Sequence, residues 1–440
     1  MSRTRRKPVP AGEFTADIVD LAEDGRGFAR VNGKATFIAD ALPGETVRYR
    51  YQRVARDADE GHLLEIVQAS PDRVTPACAH FGTCGGCSLQ HLAPHRQIEF
   101  KQKQLLDAFA RIGKVQPLEV VAPITADPWH YRRRARLGVK HVDKKGGTLV
   151  GFRERESRYL AVLESCQVLD RRVGLKLREL AGLIESLSIR AQIPQIEVAA
   201  ADHVALVLRV LATPSPADIA ALEQFARQQD FEIYLQSGGP ETIAPLSPPA
   251  RVLRYSPDGS ANMLQFQPTD FIQINGAVSQ QIVQRALDWL ALQRGQRVLE
   301  LFCGLGNFSV PLAGRGVELV AVEGDAQLVQ RARDNASRLG LEIRFECADL
   351  FKPDAQAPWL QGNYDAMLLD PPRSGAREIL PLIAARRPKK IVYVSCHPGT
   401  LARDAGALVN EYGYRLLRAG VMDMFPHTSH VESMAMFERD

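Results

Sequence analysis

The sequence predicts an α/β protein: a doubly wound domain in its C-terminal part, a small OB-like β-barrel near the N-terminus, and a mixed α/β domain between them. Three observations predict it. From about residue 276 onward, helical and extended patterns alternate, as a parallel sheet with crossover helices requires. Residues 11–68 hold about five short β-rich stretches cut by turn signals. The chain has 440 residues, 45% hydrophobic and 24% charged, an ordinary globular composition and enough length for roughly two to four domains.

The barrel, residues 10–68, is read from Asp24-Gly25-Arg26-Gly27, Val31-Asn32-Gly33-Lys34 and Leu42-Pro43-Gly44-Glu45. These turns punctuate stretches such as Thr46–Tyr51 and His62–Val67. Such barrels commonly bind oligonucleotides, although a structural cap is the plainer alternative. Residues 69–93 are turn-rich, and 94–112 have helical spacing. Over 128–268 strands and helices mix: 195–211 read as a buried strand pair, 170–189 and 216–229 as amphipathic helices, and Pro240–Pro249 as a loop. The central domain is therefore assigned to 69–93 and 128–268, and the doubly wound domain to 94–127 and 269–440. There a helix at Ser279–Leu292 precedes strands at Arg297–Phe302, Glu318–Val322, Glu342–Glu346, Ala366–Leu369, Lys390–Ser395, Arg415–Val421 and Val431–Phe437. The last two strands lack a helix between them, which predicts an antiparallel hairpin.

Several classes are excluded. No run of about 18 apolar residues exists, so no membrane span is expected. The start, MSRTRRKPVP, is basic without an apolar stretch behind it and is no secretory signal, so the expected location is cytoplasmic. The net charge of +4 is unevenly spread: residues 71–160 carry 16 Lys and Arg against 8 Asp and Glu. Within that window His130-Tyr131-Arg132-Arg133-Arg134-Ala135-Arg136 mixes cations with aromatics. Phosphate contact with base stacking needs such a mixture, which makes Arg132 and Arg133 candidates for RNA contact; a solvated charged face is the alternative. Seven cysteines, an odd number in a chain without a signal, argue against a disulfide framework. Three of them, Cys78, Cys84 and Cys87, fall within ten positions, which points to metal or catalysis.

The chemistry-bearing motifs sit where predicted strands end. Leu299–Ser309 reads LELFCGLGNFS, a strand entering a Gly-x-Gly turn that opens a helix. Those glycines let backbone approach a ligand. Ser309 stands where a dinucleotide fingerprint would carry a third glycine. Glu323 ends the next strand, where a carboxylate can accept both ribose hydroxyls, and Asp349 follows the strand after, where an adenine edge would lie. This arrangement resembles an S-adenosylmethionine pocket of Rossmann-like methyltransferases more than a nicotinamide site. Leu368–Arg373 (LLDPPR) places Asp370 before two rigidifying prolines at the mouth of the sheet. Cys396 follows the strand ending in Val394-Ser395 and is a candidate nucleophile; core filler is the plain reading of a single cysteine. Glu432 is the carboxylate of a polar, turn-forming tip, Phe425–Met434, and could serve as a general base. A nucleophilic thiol, a base and a methyl donor at one sheet edge are what methylation of uracil C5 needs. Thiolate addition at C6 makes C5 nucleophilic, and removal of the C5 proton then expels the thiol.

Phe271–Asn275 (FIQIN), LELFCGLGNFS, LLDPPR, Val394–Asp404 (VSCHPGTLARD) and Met424–Met434 (MFPHTSHVESM) together resemble the RNA uracil-C5-methyltransferase family along nearly the whole C-terminal domain. The resemblance implies Cys396 as nucleophile and Glu432 as base. It implies Gln273, Phe302, Asn307, Glu323, Asp349 and Asp370 around the methyl donor, and Phe271 as a stacking partner for the target base.

Cys78-x5-Cys84-x2-Cys87, with Cys166 after 78 intervening residues, could be an all-cysteine zinc site or an iron–sulfur site, and spacing does not separate them. The family resemblance favours one [4Fe-4S] cluster held by the four. Radical methyl-donor enzymes use three closely set cysteines and leave one iron open; the different spacing and the fourth cysteine argue against that chemistry. Asp24–Ala29 and Phe37–Glu45 resemble a TRAM domain. Barrel, cluster and catalytic domain in that order imply the branch that methylates one uridine of 23S ribosomal RNA, and no protein partner is evident. Two competitors are a non-catalytic RNA-binding factor with a relic pocket, disfavoured by intact Cys396 and Glu432, and a radical methylthio-transfer enzyme, which would also carry a TRAM barrel.

Overall fold

The computed structural model describes residues 9–439; the basic N-terminal residues 1–8, where the absence of a secretory signal was read, lie outside the described residues. Contacts divide the chain into two compact units. One comprises residues up to 101 with 153–157 and 425–430; the other comprises 102–152, 158–424 and 431–440.

The first unit opens with a six-stranded sheet of β1 (Phe14–Asp17), β2 (Asp20–Leu21), β3 (Gly27–Val31), β4 (Lys34–Ile38), β5 (Thr46–Val54) and β6 (Ala58–Gln68), in the order β1-β5-β6-β4-β3-β2. Alternation decides its faces: in β5, Val47 and Tyr49 turn inward while Arg48 and Arg50 face solvent and pair with Glu13. Asn32 and Gly33, both at positive φ, turn β3 into β4, the backbone that a two-residue hairpin demands. Tyr49 fills the interior with Ile18, Ile38 and Val47. Gly61 is required there, since a Cβ would lie 2.6 Å from the Tyr49 ring. The buried Glu45 anchors the exit from the sheet by accepting from Arg73 Nε (2.5 Å) and Nη2 (2.9 Å). Helix α1 (Pro94–Ala108) begins in this unit.

The second unit contains a six-stranded sheet, an eight-stranded sheet and a two-stranded hairpin. Before them in sequence comes β7 (Glu119–Val120). The central sheet uses β8 (Arg134–Val142), β9 (Gly147–Gly151), β10 (Gln195–Ala200), β11 (Val204–Arg209), β12 (Phe231–Gln236) and β13 (Ile243–Pro245), in the order β13-β12-β11-β10-β8-β9. The expected buried pair is β10–β11, antiparallel from Gln195–Arg209 to Ala200–Val204. The helix expected over 170–189 is broken into α2 (Arg171–Gly174) and α3 (Leu177–Ser186). Helix α4 (Pro216–Gln229) starts on a Ser215/Asp218 capping box. The proline-rich stretch is a loop that contributes β13 to the sheet edge.

A hairpin of β14 (Leu253–Tyr255) and β15 (Leu264–Phe266) leads to α5 (Gly276–Leu290), capped by Asn275. The C-terminal sheet then adds β16 (Arg297–Leu301), β17 (Glu318–Glu323), β18 (Arg344–Cys347), β19 (Ala366–Leu369), β20 (Lys390–Ser395), β21 (Arg415–Met422) and β22 (Glu432–Glu438). Between them lie α6 (Ser309–Ala313), α7 (Ala326–Arg338), α8 (Leu380–Ala385) and α9 (Pro398–Asn410). The order is β18-β17-β16-β19-β20-β22-β21-β7, parallel through β20, with β22 antiparallel to both neighbours. The chain reverses its winding between β16 and β19, which opens a crevice beyond their carboxyl ends. Strands β19 and β20 match the sequence expectation residue for residue, whereas β18 begins two residues later than expected. The edge strand β7, only two residues long, was not expected. No described helix is long and apolar enough to cross a membrane.

Candidate active site

Five parallel strands end at one edge, and the sequence candidates stand in a row along it. Phe302–Gly306 follow β16, Glu323 ends β17, Asp349 follows β18, Asp370 follows β19 and Cys396 follows β20. Because β22 runs the opposite way, its first residue reaches the same edge. Ser395 pairs with Ser433, so continuing that antiparallel register sets Cys396 opposite Glu432. Glu432 was expected where the turn-forming tip meets the strand Val431–Phe437; it opens that strand, opposite Met422 on its other side.

The donor side is built on backbone turned toward the crevice. Phe302 has φ +64°, strained for a residue with a side chain, and Gly304 and Gly306 are also positive. Glu323 supports this turn: Oε2 accepts from the Gly304 N–H (3.1 Å), and Oε1 from those of Gly324 (2.7 Å) and Asp325 (3.0 Å). A carboxylate has about four acceptor sites, so capacity is left for hydroxyl donors. Asp349 accepts from the Phe351 N–H at 2.9 Å, and the Phe351 ring lies 5.8 Å from that of Phe302, an apolar pair beside the acid. The Gln273 amide donates to Asp370 at 3.4 Å. Burial pushes the Asp370 carboxyl up to about 7, against the opposing effect of that hydrogen bond. Asn307 accepts from the Tyr255 hydroxyl at 3.2 Å.

On the reacting side, burial pushes the Cys396 thiol up to about 11, with Glu432 and Asp370 adding to the shift and Arg373 opposing it. The site thus stores a thiol rather than a thiolate, which slows oxidation and alkylation. The loop after Asp370 is fixed by the buried Asp404, whose carboxylate accepts from the Ala376 N–H (2.8 Å) and the Tyr393 hydroxyl (2.7 Å). Beneath the Gly-x-Gly turn, Glu300 is fully buried; it accepts from Ser309 Oγ at 2.6 Å, and burial pushes it up to about 8.

Phe271 is 68% exposed, an unusual state for phenylalanine, on the loop that also carries Gln273. Arg132 is half-buried, its main chain bridging to Leu169 and Asn275. Arg133 is the other arginine expected at RNA. Its side chain turns inward: Nε donates to the Gln273 carbonyl at 2.6 Å, the guanidinium lies 4.5 Å from the Tyr255 ring centre, and Nη2 is closed off from solvent. Burial, not a basic surface, governs this arginine. Tyr255 escaped the sequence reading altogether, because it lies in no motif and only the β14–β15 hairpin brings it to Asn307.

Cys78, Cys84 and Cys87 sit half-buried in the turn-rich loop of the first unit, and Cys166 is buried in the second. Among the described residues, no three or more His, Cys, Asp or Glu side chains are drawn together to hold a metal ion. The donor chemistry nonetheless fits a sulfur-ligated metal centre. The Gly86 N–H donates to Cys84 Sγ at 3.4 Å, the kind of bond that stabilises a thiolate. Residues 153–157 wrap the loop: Gly85 N–H donates to the Arg153 carbonyl (2.9 Å), Arg155 N–H to that of Thr83 (2.8 Å), and the Arg155 guanidinium to Asp40 (2.6 Å).

Comparison with known proteins agrees with this geometry. The family profile described as tRNA (Uracil-5-)-methyltransferase matches residues 94–342 and 360–440. The 23S rRNA (uracil(1939)-C(5))-methyltransferase RlmD of Alkalilimnicola ehrlichii is 53% identical over 439 residues, covering 99% of each chain. The protein of that name from Stenotrophomonas maltophilia strain K279a is 49% identical over 444 residues, covering both chains fully. Among solved structures, the Pyrococcus abyssi tRNA (uracil-54, C5)-methyltransferase in complex with S-adenosyl-L-homocysteine superposes with a TM-score of 0.74 at 24% identity, over 96% of this chain and 99% of that one. At that identity the likeness is one of fold.

Proposed function

The chain belongs to the RNA uracil-C5-methyltransferase family, S-adenosylmethionine-dependent enzymes, and on that premise we propose that it methylates C5 of one uridine of 23S ribosomal RNA, the equivalent of the uracil 1939 named for its relatives. The observation that carries this reading is the facing pair of Cys396 and Glu432 at the edge where Gln273 meets Asp370. A ribosomal RNA substrate places the enzyme in the cytoplasm.

The residues divide the work. Gln273, Phe302, Asn307, Glu323, Asp349 and Asp370 form the donor pocket, Glu323 for the ribose and Asp349 for the adenine edge. Bound S-adenosylmethionine supplies an electrophilic methyl group and one positive charge. Phe271 stacks on the target uracil once it has left its helix, and Arg132 contacts phosphate. Cys396 Sγ gives its proton to solvent as it adds to uracil C6, which makes C5 the nucleophile that takes the methyl from the donor sulfur, leaving S-adenosylhomocysteine. Glu432 then takes the C5 proton; the C5–C6 double bond reforms and Cys396 leaves. The basic window and the TRAM-like barrel bind RNA. Cys78, Cys84, Cys87 and Cys166 hold one [4Fe-4S] cluster; no step above needs an electron, so its role is structural.

The test is covalent trapping. With 5-fluorouridine in a 23S RNA fragment, a fluorine replaces the proton that Glu432 removes, and the enzyme should stay bonded to the RNA. Cys396→Ala should give no adduct and lose turnover by at least about a thousandfold, while binding S-adenosylhomocysteine as before. Turnover near the wild-type rate in that variant overturns the assignment, and trapping by tRNA instead of 23S RNA overturns the substrate.

A further inference from the structure

Arg133 lies where the central sheet meets the loop that carries Gln273. Its own main chain joins the central sheet to the donor loop, donating to the Ile274 carbonyl at 3.0 Å and accepting from the Ala200 N–H at 2.8 Å. Its side chain then crosses toward the donor pocket. Nε donates to the main-chain carbonyl of Gln273, whose side chain meets Asp370. The guanidinium plane lies over Tyr255, and the Tyr255 hydroxyl donates to Asn307. On the other side it rests against Gly276, where an added Cβ would stand 3.1 Å from Nη1. A cation over an aromatic face and against bare backbone has little room to move, and Nη2 is closed to solvent without a hydrogen-bond partner among the described residues. A buried donor left unmatched is costly, and it persists where the surrounding geometry serves something else.

We propose that Arg133 is a positioning residue for the methyl donor: its guanidinium sets the Gln273 backbone directly and the Asn307 amide through Tyr255, so that two donor-binding side chains are aligned by one buried cation. This rests on the donor-pocket reading above. The local design explains why the residue is arginine. Lysine could donate one hydrogen bond to the Gln273 carbonyl but cannot lay a flat plane on Tyr255.

The rival is phosphate contact. Arg133 also borders a cleft of about 430 Å³ shared with Trp129, Arg172 and Arg254, and an RNA backbone lying there would use the same charge. The two readings separate by which ligand notices the loss. We would measure S-adenosylhomocysteine affinity by calorimetry, KM for each substrate, and the salt dependence of binding to a 23S RNA fragment, all on the full chain. Arg133→Ala should weaken S-adenosylhomocysteine about tenfold or more and raise the donor KM in step, with RNA affinity and its salt slope unchanged. Arg133→Lys should recover part of the loss. Tyr255→Phe, which deletes only the hydroxyl on Asn307, should weaken the donor several-fold at an unchanged melting temperature. The proposal is overturned if Arg133→Ala binds the donor product within twofold of wild type, and phosphate contact replaces it if RNA affinity falls and about one unit of salt slope is lost. Should Arg133→Ala fail to fold, unchanged donor affinity in Tyr255→Phe overturns it alone. Wild-type enzyme that binds no S-adenosylhomocysteine would instead defeat the donor-pocket reading itself.

Discussion

Cys396 and Glu432 are placed by strand pairing, whereas Cys78, Cys84 and Cys87 are placed by turns and by side-chain ties to other segments. The difference is one of rigidity. A residue one step beyond a paired strand inherits the register of a whole sheet, and a slip of one position would turn over every side chain of β20, where all but Lys390 are buried. The cysteine loop has no such frame. It is held by the Gln90 amide on the Cys78 N–H, by the Arg153–Ser157 segment, and by Arg155 against Asp40 and the Phe81 ring. The edge that carries Cys396 and Glu432 is therefore set by strand register, while the cysteine loop, if it holds the proposed metal centre, would gain its final form on binding it.

The sharpest test of the rigid side concerns Glu432, with the largest expected effect. Glu432→Gln keeps the shape of the side chain but cannot take the C5 proton. Methyl transfer should proceed and elimination should stop. Label from the donor methyl should then accumulate in a covalent RNA–protein adduct on denaturing gels, with ordinary uridine RNA and turnover down by at least about a thousandfold. An unmethylated adduct, or normal turnover, would mean that another group removes the proton, and His430 would be the next to test.

The softer side breaks differently. Cys84→Ala and Cys166→Ala should each lose essentially all iron on anaerobic purification, because a four-thiolate site works as a unit, and both should lose solubility before chemistry is touched. Full iron in Cys166→Ala would put the fourth ligand elsewhere. Hydrogen exchange over 78–87 should rise sharply on iron removal, while exchange across β19 and β20 should not change.

How much of each region could be read beforehand follows from the same contrast. Strands β19 and β20 were legible because short apolar runs between turn residues have one reading in a parallel sheet. Cys396, Asp370 and Glu323 followed, since each stands where such a run stops. Helix α5 begins three residues before the expected start because Asn275 caps it while also lying in the FIQIN motif. The break at Leu175 and Lys176 falls in a stretch whose apolar spacing continues across it, so periodicity alone ran the helix on. Strand β7 pairs two residues with β21 and has no pattern of its own. The inward turn of the Arg133 side chain was not legible for a physical reason: in a run of cations the chain alternates faces, and sequence does not say which arginine points inward.

A smaller effect probes the donor crevice through Asp370. Its carboxyl titrates near 7 in the free enzyme because burial disfavours the charge. A cationic donor prefers the ionised form. Donor affinity should therefore fall as pH drops below 7, by up to about tenfold per unit, with proton release on binding visible in buffers of different ionisation enthalpy. Asp370→Asn should bind at the low-pH level throughout. An affinity independent of pH between 5.5 and 8.5 in the wild type would remove Asp370 from contact with the positive charge.

The smallest effect, and the one that asks whether the rigid edge is rigid at a cost, concerns Glu300. The carboxyl is fully buried; among the described residues Oε1 has no hydrogen-bond partner, and Ser309 donates to Oε2. Burial raises it to about 8, with Asp370 and Glu323 adding to the shift and Ser309 opposing it. A glutamate in the unfolded chain titrates near ~4.3. Below that value both states hold the proton and Glu300 costs nothing. Between it and about 8 the unfolded chain releases the proton and the folded one keeps it, so stability declines with rising pH by up to ~1.4 kcal/mol per unit from this group. Above about 8 both states are ionised and the loss is complete. Glu300→Gln retains an acceptor for Ser309 and has no proton to lose. It should unfold at the wild-type temperature near pH 4.5 and a few degrees above it at pH 8, read on the transition of the second unit because two units need not melt together. Equal stabilisation at both pH values would show that packing, not a withheld proton, sets the difference. A loss at pH 8 would mean that the charged form is held by a partner beneath the Gly-x-Gly turn, and that the catalytic edge stands on an ion pair instead of a neutral acid.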